Sequence, residues 1–154
     1  MALGEKTITT NRKARYEYHI SERLEVGMVL HGTEVKALRA GQANLQEAFC
    51  SVDGSDMVLR QCHIAHYDHG NLNNHDPVRP RRLLLHKREI VKWDKATRLK
   101  GFTIVPLRLY FKNGYAKLEI GLGKGKKIHD KRHSIAERES KVRLDRVNRQ
   151  RSKE

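Results

Sequence analysis

The chain reads as mainly β: a small antiparallel, OB-like barrel of about six strands with two or three helices, followed by a disordered basic C-terminal tail. Three observations predict this. From Tyr115 to Leu122 the apolar residues Ala116, Leu118, Ile120 and Leu122 alternate with Tyr115, Lys117, Glu119 and Gly121, the period of a half-buried strand. Asn113 and Gly114 separate that run from a second apolar one, Phe102 to Phe111, and Asn-Gly is a strong hairpin signal because both residues tolerate positive φ. The composition then changes at Gly123, after which the chain holds 12 of its 32 Lys and Arg but only 5 of its 18 Asp and Glu. Short antiparallel strands joined in this way close most naturally as a Greek-key barrel. The expected organisation is a mobile arm over 1–10, a barrel over 11–122 and a tail over 123–154.

The arm, Met1 to Thr10, has no apolar periodicity. Asn11 to Arg15 carries three cations, and Tyr16 to Ile20 follows as a strand candidate. Positive charge beside aromatics suits single-stranded or looped RNA, with cations on phosphates and rings against bases. Packing of Tyr16 or Tyr18 inside the barrel is the alternative. Ser21 to Glu25 is polar enough for a turn or short helix. From Val29, Thr33, Val35 and Ala37 alternate with Glu34 and Lys36, which predicts a strand with a bend near Gly32, where the buried side changes. Gly41 ends it, and Asn44 can cap a helical turn running to Ala48.

Phe49 to Val52 and Met57 to Ile64 are strand candidates around a hairpin loop, Asp53-Gly54-Ser55-Asp56. His63 to Arg82 is long and polar and reads as a surface loop that binding could order. Its histidines, His63, His66, His69 and His75, lie beside Cys62, but their spacing matches no standard zinc motif, so no metal site is assigned. Lys87 to Lys100 predicts a helix with Ile90, Val91 and Trp93 on one broad face and Gly101 as its stop. Pro106 lacks an amide donor and marks an edge or bulge of its strand.

The formal net charge is +14, with 32% of residues charged. Such a field concentrates polyanions, and nucleic acid is the usual one. A membrane surface fits less well, because no basic amphipathic helix with a wide apolar face is present, no apolar run approaches spanning length, and the N-terminus lacks a signal-peptide core. A cytoplasmic location follows as the expectation, with Cys50 and Cys62 reduced and in the core. No P-loop, Gly-x-Ser-x-Gly, His-Glu-x-x-His or Rossmann fingerprint occurs, so no catalytic residue and no cofactor is predicted. In the tail, Ser134-Ile135-Ala136-Glu137 matches a capping box, so a helix from Ile135 is expected. Ile135, Val142, Leu144 and Val147 form no single stripe, so the tail should fold only against dense phosphate.

Four segments carry a resemblance: Asn11 to Tyr18, Gly32 to Leu45, Arg81 to Lys87 and Gly123 to Arg132. In that order they resemble the motifs of the small protein B family, the transfer-messenger RNA-binding proteins of bacterial trans-translation. The resemblance implies an OB-like barrel that binds the tRNA-like domain of transfer-messenger RNA. It also implies delivery of that RNA, with alanyl charge and elongation factor Tu, to the decoding centre and messenger channel of a stalled ribosome. By motif position it puts Asn11, Tyr18, Glu25 and Leu84 on the RNA face, with Arg12, Lys13, Arg15, Lys36 and Lys117 against phosphate or ribose. It gives the tail residues Lys124, Lys126, Lys127, His129, Asp130, Lys131, Arg132, Arg138, Arg143, Arg146 and Val147 to the ribosome. Glu25 could equally form a barrel salt bridge, and Leu84 could be core.

Overall fold

In the computed structural model, which describes residues 4–67, 74–126, 135–144 and 146, the chain runs β1 (Glu5–Thr10), α1 (Arg12–Glu17), β2 (Tyr18–Met28), α2 (Gly32–Arg39), β3 (Ala43–Asn44), β4 (Phe49–Asp53), β5 (Asp56–Arg60), β6 (His63–Ile64), β7 (Arg81–Leu84), α3 (Lys87–Lys100), β8 (Thr103–Lys112) and β9 (Tyr115–Gly125). Residues 135–144 are helical as well, in line with the capping-box signal. Seven strands form one sheet in the order β1-β8-β9-β2-β7-β5-β4, and β3 pairs with β6 separately. Every pair is antiparallel. Strand β4 lies back against β8, which curls the sheet into the expected barrel with one strand more than the pattern suggested.

The clearest sequence signals give the clearest elements. Asn113 and Gly114 have φ of 52° and 84°, the left-handed pair that a two-residue hairpin turn needs. The register of β8 against β9 shifts between Pro106 and Arg108, a bulge at the proline as expected. Met57, Leu59, Leu109, Leu118 and Ile120 are fully buried inside the barrel, and α3 adds Ile90 and Trp93. Each Leu- or Ile-sized side chain so buried contributes about 1.5–3 kcal/mol of transfer free energy. Val91, expected on the same broad face of α3, is instead half exposed. Cys50 and Cys62 are both buried, and burial pushes the Cys62 thiol up to about 11, so these are packing residues.

Elsewhere the structure corrects the sequence reading. Glu5–Thr10 is an edge strand paired with β8 rather than part of a mobile arm. Tyr16 belongs to α1, and Ser21 to Glu25 is strand, with a register shift at Ser21 whose hydroxyl donates to the Leu122 carbonyl at 3.1 Å. Asn44 caps only a turn, accepting from the Gln46 amide at 2.8 Å. Strand β9 continues to Gly125, paired with Tyr18, and the Lys126 amide donates to the Glu17 carbonyl at 2.7 Å. The barrel thus extends past the boundary expected at Leu122.

The largest correction is Gly32 to Arg39, which is the helix α2 and not a strand. A different set marks a helical face: Glu34, Ala37 and Leu38 fall at i, i+3 and i+4 and all three are buried. At the third helical position the Glu34 carboxylate accepts from the His31 amide at 2.8 Å, the returning half of a capping box. The same carboxylate receives Arg79 at 2.6 Å and the Arg81 guanidinium. Arg81 is fully buried and donates onward to the carbonyls of Cys62 at 2.7 Å and Pro77 at 3.2 Å. His75, on the segment read as surface loop, is buried too, with Nδ1 2.9 Å from the Thr33 hydroxyl and Nε2 2.8 Å from the Ile64 carbonyl. A carbonyl only accepts, so Nε2 donates. The polar stretch before β7 is therefore tied to α2 by buried hydrogen bonds, while His69 lies outside the described residues.

Candidate nucleic-acid interface

Directly opposed residues in neighbouring strands share a face of the sheet, so the registers assemble the site. One row crosses four strands: Leu84 of β7 opposes Gly27 of β2, Gly27 opposes Lys117 of β9, and Lys117 opposes Tyr110 of β8. The next row holds Glu25, Glu119 and Arg108. Three residues far apart in sequence, Glu25, Leu84 and Lys117, thus meet on one outer face.

Leu84 is 48% exposed, so its position in a Leu-Leu-Leu run does not make it core. Strand alternation turns Leu83 inward and Leu84 outward. A Cβ at Gly27 would lie 3.3 Å from Leu84 Cβ; lacking one, Gly27 lets Leu84 lie flat against the strand as an apolar platform beside charged groups. Glu25 accepts from the Tyr110 hydroxyl, and Lys112 Nζ lies 3.3 Å from Oε2 and 3.4 Å from Oε1. The Tyr110 hydrogen bond, with help from Lys112, holds the Glu25 carboxyl below the usual carboxylate range. The face therefore combines a flat apolar surface, a fixed acceptor and a rim of Arg23, Lys112 and Lys117. That set of contacts suits unstacked bases, their amino edges and the phosphates around them.

Tyr110 was missed at the sequence level. It sits in an apolar strand and is only 1% exposed, so nothing but its strand parity relative to Leu109 marks it as facing the site.

Other expected RNA residues fall elsewhere. Asn11 is buried and structural: its Oδ1 accepts from the Ala14 amide at 3.1 Å, capping α1, and its Nδ2 donates to the Pro106 carbonyl at 2.9 Å. Tyr18 is half-buried against Ala14, Val105 and Leu107, the packing alternative. Arg12, Lys13 and Arg15 are exposed on α1. Lys13 pairs with Glu47 at 3.6 Å, while Arg12 and Arg15 line a cleft of about 350 Å³ with Tyr16, Ile135 and Arg138. Lys36 lies on α2 with its ammonium 5.3 Å from the Tyr67 ring centre, apart from the sheet rows. In the tail as expected from the sequence, Lys124 lies within β9 with Nζ 4.9 Å from the Phe102 ring centre, and Arg138, Arg143 and Arg146 are exposed. Lys127, His129, Asp130, Lys131, Arg132 and Val147 lie outside the described residues.

The family model described as SmpB protein matches residues 8–150. The chain belongs to the SmpB protein family. Among SmpB-family relatives, the SsrA-binding protein of Thermobifida fusca is 53% identical over 148 residues, covering 96% of this chain and 92% of that one. The SsrA-binding protein of Pelotomaculum thermopropionicum is 51% identical over 142 residues, covering 92% and 93%. A chain solved under the heading "tmRNA-SmpB: a journey to the center of the bacterial ribosome" is 44% identical, with a TM-score of 0.65, covering 78% of this chain and 85% of that one. Among the described residues, no helix is long and apolar enough to cross a membrane.

Proposed function

We propose that this chain is a non-catalytic RNA-binding adaptor that binds the tRNA-like domain of transfer-messenger RNA and brings it to stalled ribosomes for trans-translation. The observation that carries the reading is the outer sheet face on which Leu84, Gly27 and Lys117 form one row beside Glu25. Family membership and relatives named as SsrA-binding proteins support it, as does likeness to a chain solved with transfer-messenger RNA and the ribosome as its subject. In this reading the barrel recognises the RNA's shape and the basic tail enters the messenger channel near the decoding centre. Elongation factor Tu is met indirectly, through the alanyl-charged RNA. The setting is the cytoplasm, and the chain breaks no bond.

Glu25→Gln tests the face. The substitution keeps the side chain's shape and removes its charge. Because Glu25 is exposed, the melting temperature should stay nearly unchanged, while affinity for the tRNA-like domain falls about tenfold, the weight of a charged hydrogen bond. A large drop in melting temperature with RNA affinity intact would make Glu25 a structural residue and remove the face's main support.

A further inference from the structure

We propose that Tyr110 is a positioning residue for RNA recognition, its hydroxyl holding the Glu25 carboxylate in one orientation as an acceptor toward the bound RNA. The inference rests on the RNA-binding reading of this face. Tyr110 itself is too buried to touch RNA; its hydroxyl donates to the exposed Glu25 carboxylate. The ring is held in turn. Arg108 lies 4.0 Å from its centre, and the same guanidinium pairs with Glu5 at 3.1 Å and approaches Glu119 at 4.0 Å. An exposed glutamate ordinarily samples several rotamers, and anchoring one oxygen on a packed phenol leaves the remaining lone pairs aimed in a fixed direction.

A second observation points the same way. Glu25 and Glu119 oppose each other directly across β2 and β9, where like charges are destabilising. The fold offsets this with Arg23 3.5 Å from Glu119, Arg108 near Glu119 and Lys112 on Glu25. The carboxylate gives the buried Tyr110 hydroxyl its acceptor, yet it stands exposed among cations. In a chain of net charge +14 it repels phosphate and accepts only from N–H or O–H groups, so it fixes which part of an RNA can lie over Leu84. Burial and the Glu25 carboxylate push the Tyr110 phenol up, so it stays a donor throughout the physiological range.

The test is Tyr110→Phe, which keeps the ring under Arg108 and removes the hydroxyl. Binding of the full chain to the tRNA-like domain and to ordinary tRNA is measured as the pH is lowered from neutral. The charged and titratable groups around Glu25 are Tyr110, Arg108 and Lys112 of β8, Lys117 and Glu119 of β9 and Arg23 of its own strand; only the hydroxyl changes. Affinity for the tRNA-like domain is expected to fall about tenfold, with ordinary tRNA unaffected. Acid should also weaken the variant's binding at a higher pH than the wild type's, because Glu25 loses the bond that favours its ionised form. A merely structural tyrosine would lower stability without moving that midpoint.

Glu25→Asp supplies a second arm, since it keeps the charge but falls a methylene short of the hydroxyl; it should lose the same preference. Wild-type preference retained by both variants, with an unchanged acid midpoint, overturns the positioning role and leaves the RNA reading standing. Absence of any preference in the wild type overturns the RNA reading, and the inference with it.

Discussion

Replacing Arg81 with methionine is expected to destabilise the protein by about 3–5 kcal/mol, the cost of leaving one half of a buried ion pair uncompensated. Arg81 and Glu34 are both fully buried. Without the guanidinium, Glu34 keeps only the His31 amide and Arg79, which is itself 27% exposed, and the Cys62 carbonyl loses the Arg81 donor while that of Pro77 keeps only the Ile64 amide. Urea unfolding at neutral pH measures the loss, and a change under about 1 kcal/mol would place the pair among weak surface bridges. Combining Arg81→Met with Glu34→Gln should recover part of the stability, because the stranded charge is gone.

Acid probes the same network. Burial alone would raise the Glu34 carboxyl, but the hydrogen bonds from Arg79, the His31 amide and Arg81 outweigh it and leave the group below the usual range. A depressed folded value means the stabilisation is complete above the ordinary glutamate value, about 4.3, and is lost as pH falls below it. Glu34→Gln should flatten that acid limb.

Cutting the chain after Lys126 is expected to leave preference for the tRNA-like domain intact while reducing peptide tagging in a reconstituted system to background. The cut spares the whole of β9 and the Lys126 amide that bonds Glu17, whereas a cut at Leu122 would strip residues paired with Tyr18 and His19. It removes ten Lys and Arg against five Asp and Glu. The salt dependence of RNA binding should therefore become shallower, since fewer counterions are released. Loss of RNA preference together with tagging would contradict the division of labour between barrel and tail.

The parts of this architecture legible in the sequence were those decided locally. The β8–β9 hairpin follows from an Asn-Gly turn and strict alternation, and α3 from its period and Gly101. The helix α2 was not legible as such, since Thr33, Val35 and Ala37 alternate as a strand would. What favours the helix is Glu34, whose partners, the half-buried Arg79 and the buried Arg81, lie 45 and 47 residues away. Edge strand β1 buries little, and its Thr-rich sequence carries no apolar signal; pairing with β8 orders it. At the site, Glu25, Leu84 and Lys117 came from motif resemblance, and only the registers of two strand pairs put them side by side. Motif position also nominated Asn11, which caps α1 and binds Pro106 instead. A polar residue can recur in a motif because the scaffold needs it.

The most direct test of the RNA-binding face is a competition between the tRNA-like domain of transfer-messenger RNA and an ordinary tRNA, titrated across salt concentration. Phosphate contacts alone give both RNAs similar affinities and similarly steep salt slopes, because counterion release ignores shape. A shaped site on the barrel predicts that the tRNA-like domain stays bound at salt concentrations that release the tRNA. Equal binding that disappears for both at the same salt would contradict the account and reduce the chain to a basic protein without transfer-messenger RNA specificity.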